Sequence, residues 1–65
     1  VPLIKVSMFP GRTDEQKQAL IKELTEAFLR TCGGKREGVW VMIEEVQQQH
    51  WGVGGHTSGA PLAGE

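Results

Sequence analysis

Apolar and polar residues alternate from Leu3 to Phe9. Ile4, Val6 and Met8 share one face; Leu3, Lys5, Ser7 and Phe9 share the other. This period of two predicts a strand with one fully apolar and one mixed face, closed by Pro10-Gly11. The period then changes. Leu20, Leu24, Ala27, Phe28 and Thr31, with Ile21 beside them, follow the spacing of an amphipathic helix facing a core. Thr13 and Gln16 form a capping box ahead of this run, and Asp14 and Glu15 suit the positive end of the helix dipole. The helix is predicted from Asp14 to Cys32, ~28 Å at 1.5 Å per residue, with a left-handed cap at Gly33-Gly34. Lys17, Lys22, Glu23, Glu26 and Arg30 fall on its outer, solvated face. Residues 39–46 form a second strand whose first five positions are all apolar, as in a strand covered on both sides. Gln47–Gln49 is a polar loop. Gly54-Gly55 is a turn signal and predicts a short hairpin strand at Trp51–Val53. Residues 57–65, rich in Gly, Ala, Pro and Ser, are expected to be mobile or draped over a neighbour.

Strand, helix and strand make one β-α-β unit, with parallel strands and a right-handed crossover. The fold class is α+β: one domain over residues 1–65, with the hairpin appended. Such a unit cannot close a core alone. The helix covers one face of the sheet, and the other needs a further chain. Trp40, Trp51 and Val53 are the apolar residues expected at such contacts. Size points the same way, because a domain of 65 residues buries only ~60% of the surface of its unfolded chain. Cys32 is the one cysteine, so no internal disulfide forms. No Cys, His or acidic spacing reads as a metal site. Oligomerisation is the remaining means of stabilisation.

Seven basic and eight acidic residues are interspersed, for a net charge of −1. That is no footprint for nucleic acid or an anionic membrane. No apolar run approaches the ~20 residues of a membrane span, and no signal-peptide pattern is present. A lone cysteine fits a reducing compartment, so the cytoplasm is the expected location. Cys32 reads as a helix-end filler, with no basic neighbour to activate it. His50 and His56 read as surface or interface residues.

Three blocks carry a family resemblance: Pro2-Leu3-Ile4, Gly11-Arg12-Thr13-Asp14-Glu15-Gln16-Lys17 and Trp51-Gly52-Val53-Gly54-Gly55. Together, over residues 2–56, they resemble the short 4-oxalocrotonate tautomerase-like members of the tautomerase superfamily. The resemblance implies the tautomerase (MIF-like) fold, with dimers assembled into a homohexamer, or a hetero-oligomer as the alternative. It implies proton transfer on a small anionic enol or α-keto acid, with no cofactor and no metal. Pro2 matches the N-terminal proline that acts as base, Arg12 the loop arginine that binds a substrate carboxylate, and Trp51 an aromatic wall of the pocket. The chemistry is coherent. An α-amino group starts near ~7.7–8.0, and an apolar pocket and nearby cations lower it towards neutrality. An arginine can grip a carboxylate through two parallel hydrogen bonds and hold it against the base.

Two departures from the family pattern qualify this reading. The second arginine expected on the second strand falls on Trp40, which is then a substrate-binding candidate. An indole offers one uncharged donor, and losing a transition-state donor costs ~10²–10³ in rate. A smaller or differently shaped acid than 4-oxalocrotonate is expected, or a biosynthetic tautomerase-like role. Lys35 and Arg36, in the loop before the strand, are candidate substitutes. The second departure is Val1, which makes the Pro2 nitrogen an amide. Three accounts stay open: Val1 occupies an initiator slot and is removed, Val1's own amine is a displaced base, or the chain is a silent subunit of an oligomer. Hydration of an unsaturated acid, with Glu44 or Glu45 activating water, is a weaker alternative to reading both as strand-end charges.

Overall fold

The structure, a computed structural model, describes residues 1–58. Strand β1 (Leu3–Met8) leads into helix α1 (Asp14–Cys32), a short 3₁₀ turn (Arg36–Gly38) and strand β2 (Trp40–Glu45). A second 3₁₀ turn (Gln48–His50) precedes the two-residue strands β3 (Gly52–Val53) and β4 (His56–Thr57). Strands β1 and β2 are parallel, in register from Leu3 opposite Trp40 to Met8 opposite Glu45. The ladder continues past both ends: the Trp40 N–H donates to the Pro2 carbonyl at 3.0 Å and the Val46 N–H to the Met8 carbonyl at 2.8 Å. The predicted β-α-β unit with parallel strands and terminal hairpin is therefore the observed architecture.

The helix begins where its capping box places it. Gln16 N–H donates to Thr13 Oγ1 at 3.1 Å, and Thr13 N–H donates back to Gln16 Oε1 at 2.9 Å. Two of the backbone donors orphaned at a helix start are thereby satisfied. At the other end Gly33 donates its N–H to the Leu29 carbonyl at 3.0 Å. Its φ of 78° is positive, but its ψ of −169° is not that of the expected left-handed cap. Thr31, expected on the packed stripe, is exposed and returns its hydroxyl to the Ala27 carbonyl, whereas Leu29 is half-buried. Along both strands burial alternates: Ile4, Val6, Met8, Val41 and Ile43 are half-buried, and Leu3, Lys5, Ser7, Trp40, Met42 and Glu44 are exposed. The register fixes this sorting, because a slip of one residue would exchange the faces. The helix packs against β2, so it covers one face only. The apolar run of the second strand is thus not covered on both sides within one chain.

The hairpin forms as its glycines dictate. Val53 pairs with His56 across Gly54 (φ 60°) and Gly55 (φ 87°), and a two-residue type I′ turn requires positive φ at both positions. Gln48 and Gln49 lie in a 3₁₀ turn rather than an irregular loop. Thr57 belongs to β4, so the expected tail begins later, and from residue 59 onward that expectation lies outside the described residues. Among the described residues no side chain is fully buried, and no helix is long and apolar enough to cross a membrane.

Candidate active site

The predicted site residues fall into two groups at opposite ends of the sheet. Pro2 and Trp40 stand at the head. Pro2 directly precedes β1, and Trp40 opens β2 with its N–H on the Pro2 carbonyl. The Trp40 side chain shares the open face with Leu3, its register partner, and with Met42; the three are 59%, 53% and 49% exposed. Arg12 and Trp51 stand at the foot. Arg12 lies in the loop after β1, exposed, at the edge of a cleft of about 220 Å³ lined also by Met8, Gln16, Lys17 and Leu20. The half-buried Trp51 packs its ring against Phe9, with centroids 4.7 Å apart and planes at 65°. This edge-to-face geometry is one that the ring quadrupole favours. Strand rise sets the gap between the groups: Pro2 and Phe9 lie on the order of 20 Å apart along β1. Within one chain the structure brings Pro2 to Trp40 and places Arg12 and Trp51 at the same end, but it does not bring Pro2 to Arg12.

The charged residues around these groups are largely committed to one another. Lys17, expected on the outer helix face, turns inward and meets Glu45 at 2.7 Å. Glu44 accepts from Ser7 Oγ at 3.2 Å and pairs with Lys5 at 3.3 Å. Neither glutamate is a free strand-end charge. Arg36, a candidate substitute for the missing arginine, is held by Glu26 on the helix: Nη1 and Nη2 each meet one carboxylate oxygen, Nη2 at 3.4 Å. Those hydrogen bonds hold the Glu26 carboxyl below the usual carboxylate range and raise the Arg36 guanidinium further above its own. Glu26 and Arg36 also depart from the sequence reading, which left one solvated and the other unplaced. Arg12, Lys22, Arg30 and Lys35 have no carboxylate within ion-pair distance among the described residues. Also among the described residues, no three His, Cys, Asp or Glu side chains converge as metal ligands.

Sequence reasoning missed the other walls of the Arg12 cleft. Met8 and Leu20 supply its apolar part and Gln16 and Lys17 its polar part. The signal was present for two of them, since Gln16 and Leu20 follow Arg12 at successive spacings of four residues, the last two on one helix face.

The chain belongs to the tautomerase family, whose model, described as tautomerase enzyme, matches residues 2–60. A probable tautomerase of Ralstonia nicotianae is 53% identical over 55 residues, which span 85% of this chain and 79% of the relative. One of the 4-oxalocrotonate tautomerase isozymes of Methylibium petroleiphilum superposes with a TM-score of 0.87 at 33% identity, covering 98% of this chain and 100% of that one. The heterohexameric 4-oxalocrotonate tautomerase of Chloroflexus aurantiacus does so with a TM-score of 0.84 at 31% identity, covering 94% and 98%.

Proposed function

We propose that this chain is a cofactor-independent tautomerase that moves a proton between the enol and keto forms of a small unsaturated or α-keto acid. Pro2 is the base, Arg12 holds the substrate carboxylate, and Trp40 and Trp51 wall the pocket. The separation of Pro2 from Arg12 along β1 carries the assembly part of this reading. A pocket containing both draws them from different copies, and an antiparallel pairing of protomers sets the head of one β1 beside the foot of another. The bare apolar residues at the head and the absence of a fully buried side chain among the described residues support a homo-oligomer, taken here as a hexamer.

The base must be a free secondary amine, so the reading requires that Val1 be absent from the active chain. Intact-mass spectrometry of enzyme with full ketonisation activity checks this. A mass that retains Val1 would remove Pro2 as the base. Once a free Pro2 is established, Pro2→Ala is expected to lower kcat/KM by ~10²–10⁴, the usual worth of a positioned acid–base group. Arg12→Ala should lower it by ~10²–10³, as for loss of a transition-state donor.

A second reading is favoured by Val1 together with Trp40: a catalytically impaired or silent subunit of a hetero-oligomer. The heterohexameric relative in Chloroflexus aurantiacus supplies a precedent for mixed assembly. That reading expects no turnover of phenylenolpyruvate or 2-hydroxymuconate by the pure chain, and co-purification with a related one. Robust turnover by the homogeneous protein removes it.

A further inference from the structure

The open face of the sheet carries side chains in rows set by the register: Leu3 beside Trp40, Lys5 beside Met42, Ser7 beside Glu44. Towards the head the face is apolar. Towards the foot it carries one cation and one anion, Lys5 and Glu44, each about half exposed and paired at 3.3 Å. Their charges cancel within the chain, but their hydrogen bonding is incomplete. Lys5 Nζ and Ser7 Oγ both reach the same oxygen of Glu44, Oε1. Among the described residues nothing donates to Glu44 Oε2, and the ammonium of Lys5, with three donors, has Glu44 as its one partner.

Whatever covers this face meets both parts of it. A purely apolar partner would strand the spare oxygen and donors away from water, which is costly for polar groups and more so for charged ones. A second copy of the chain does not. Turned about an axis along the strands, it lays Leu3 opposite Trp40 and Ser7 opposite Glu44. Lys5 then stands one row, about 6–7 Å of strand rise, from the Glu44 of the facing copy, the same diagonal it spans in its own chain. Laid in the opposite sense, the copy would set Trp40 against Glu44 and Lys5 against Lys5. We propose that the open face is a contact between copies of this chain, and that Lys5 and Glu44 make it self-selecting by bonding across to the Glu44 and Lys5 of the facing copy. Such reciprocal pairing is the pattern of a two-fold contact. A chain with like charges at both positions is refused by its own kind, because like charges brought together oppose association. The inference rests on the oligomer of the proposed function. The contact is separate from the side-by-side pairing that brings Pro2 to Arg12.

The test is a charge exchange between chains, followed by sedimentation velocity over a dilution series and by native mass spectrometry. Lys5→Glu leaves two negative charges on the face, and Glu44→Lys leaves two positive ones. Each variant alone should dissociate at a concentration about tenfold or more above that of the unaltered protein, the lower end of coupling between close charge pairs across an interface. Refolded together in equal amounts, the two should regain the unaltered assembly, with both chains in each particle. The double variant, with both changes in one chain, should assemble alone. Single variants that sediment like the unaltered protein overturn the proposal, as does a mixture that stays dissociated or sorts into particles of one kind. Refolding the two together reads the contact even where a single variant does not fold alone. These outcomes leave the tautomerase reading standing, since no turnover is measured. A monomeric unaltered protein overturns both this proposal and the oligomer on which it rests.

Discussion

The head and the foot of the two-stranded sheet are built on opposite principles. At the foot, Arg12 apart, the chain satisfies itself among the described residues. Lys17 meets Glu45, Glu44 takes both Lys5 and Ser7, Thr13 and Gln16 cap each other, and Phe9 and Trp51 stack edge to face. At the head, three apolar side chains share a face with no covering element. One end is finished by short-range chemistry; the other is left for contacts beyond the protomer. The proposed site joins these two kinds of surface, with a charged, pre-formed carboxylate cleft on one side and an apolar wall on the other. The difference separates what one chain stabilises by itself from what it presents to others.

The sharpest way to break the contrast is to charge the head. Met42→Glu places a carboxylate in the apolar cluster, where an assembly would bury it unpaired. Sedimentation velocity should show a shift from oligomer to monomer, with a Tm about 10 °C or more lower, the equivalent of roughly 2 kcal/mol in a domain of this size. An unchanged sedimentation coefficient would mean that the head is not a contact surface.

A smaller effect is expected from loosening the foot. Thr13→Ala removes the hydroxyl that accepts the Gln16 N–H and should cost about 1 kcal/mol in urea unfolding. The assembly should survive in the folded protein, because the cap lies in the self-sufficient half. Dissociation of folded Thr13→Ala protein would blur the distinction between the two ends.

The smallest effect concerns Glu26 and Arg36, which tie the helix to the loop leading into β2. The folded-state pKa of Glu26 is depressed, chiefly by the Arg36 hydrogen bond. The pair's contribution is therefore present above the unfolded value and is lost as pH falls through the folded one. Both groups are exposed at the surface, where salt screens them. Thermal melts from about pH 7 to about pH 3 should show a slightly shallower acid limb for Glu26→Gln than for the unaltered protein. Identical limbs would show that the pair contributes nothing to folding.

The parts of the fold legible in the sequence are those whose causes are local. The capping box declares the helix start within four residues, the alternation in Leu3–Met8 declares the strand and its faces, and Gly54-Gly55 declares the turn by the φ it requires. The pairs that join distant segments were not legible. Lys17 sits in the first helical turn, where charge normally meets solvent. Only the register of β2 puts Glu45 beneath it. Arg36 and Glu26 are ten residues apart across a helix end and a loop, and neither helical nor strand periodicity spans that gap. The candidate site shows the same division. Pro2, Arg12, Trp40 and Trp51 could each be picked out by position in a motif, but their sorting into two ends depends on the length of β1. On the proposed reading each half is completed by the other half of a second copy, and that pairing follows from an assembly geometry that no local period encodes.

The hydrogen bond from Trp40 to the Pro2 carbonyl acts as a zero mark on a ruler. It fixes where the ladder begins, and the strand cannot slide to absorb a change in length, since a one-residue slip would turn Ile4, Val6 and Met8 outward and Leu3, Lys5 and Ser7 onto the helix. Any residue ahead of Pro2 must therefore project beyond the mark, and it carries the terminal amine about 3.3–3.6 Å away with it. Proton transfer tolerates heavy-atom separations of about 2.6–3.2 Å. On the proposed reading, the bond that anchors the sheet therefore also sets where a terminal amine would lie relative to the substrate.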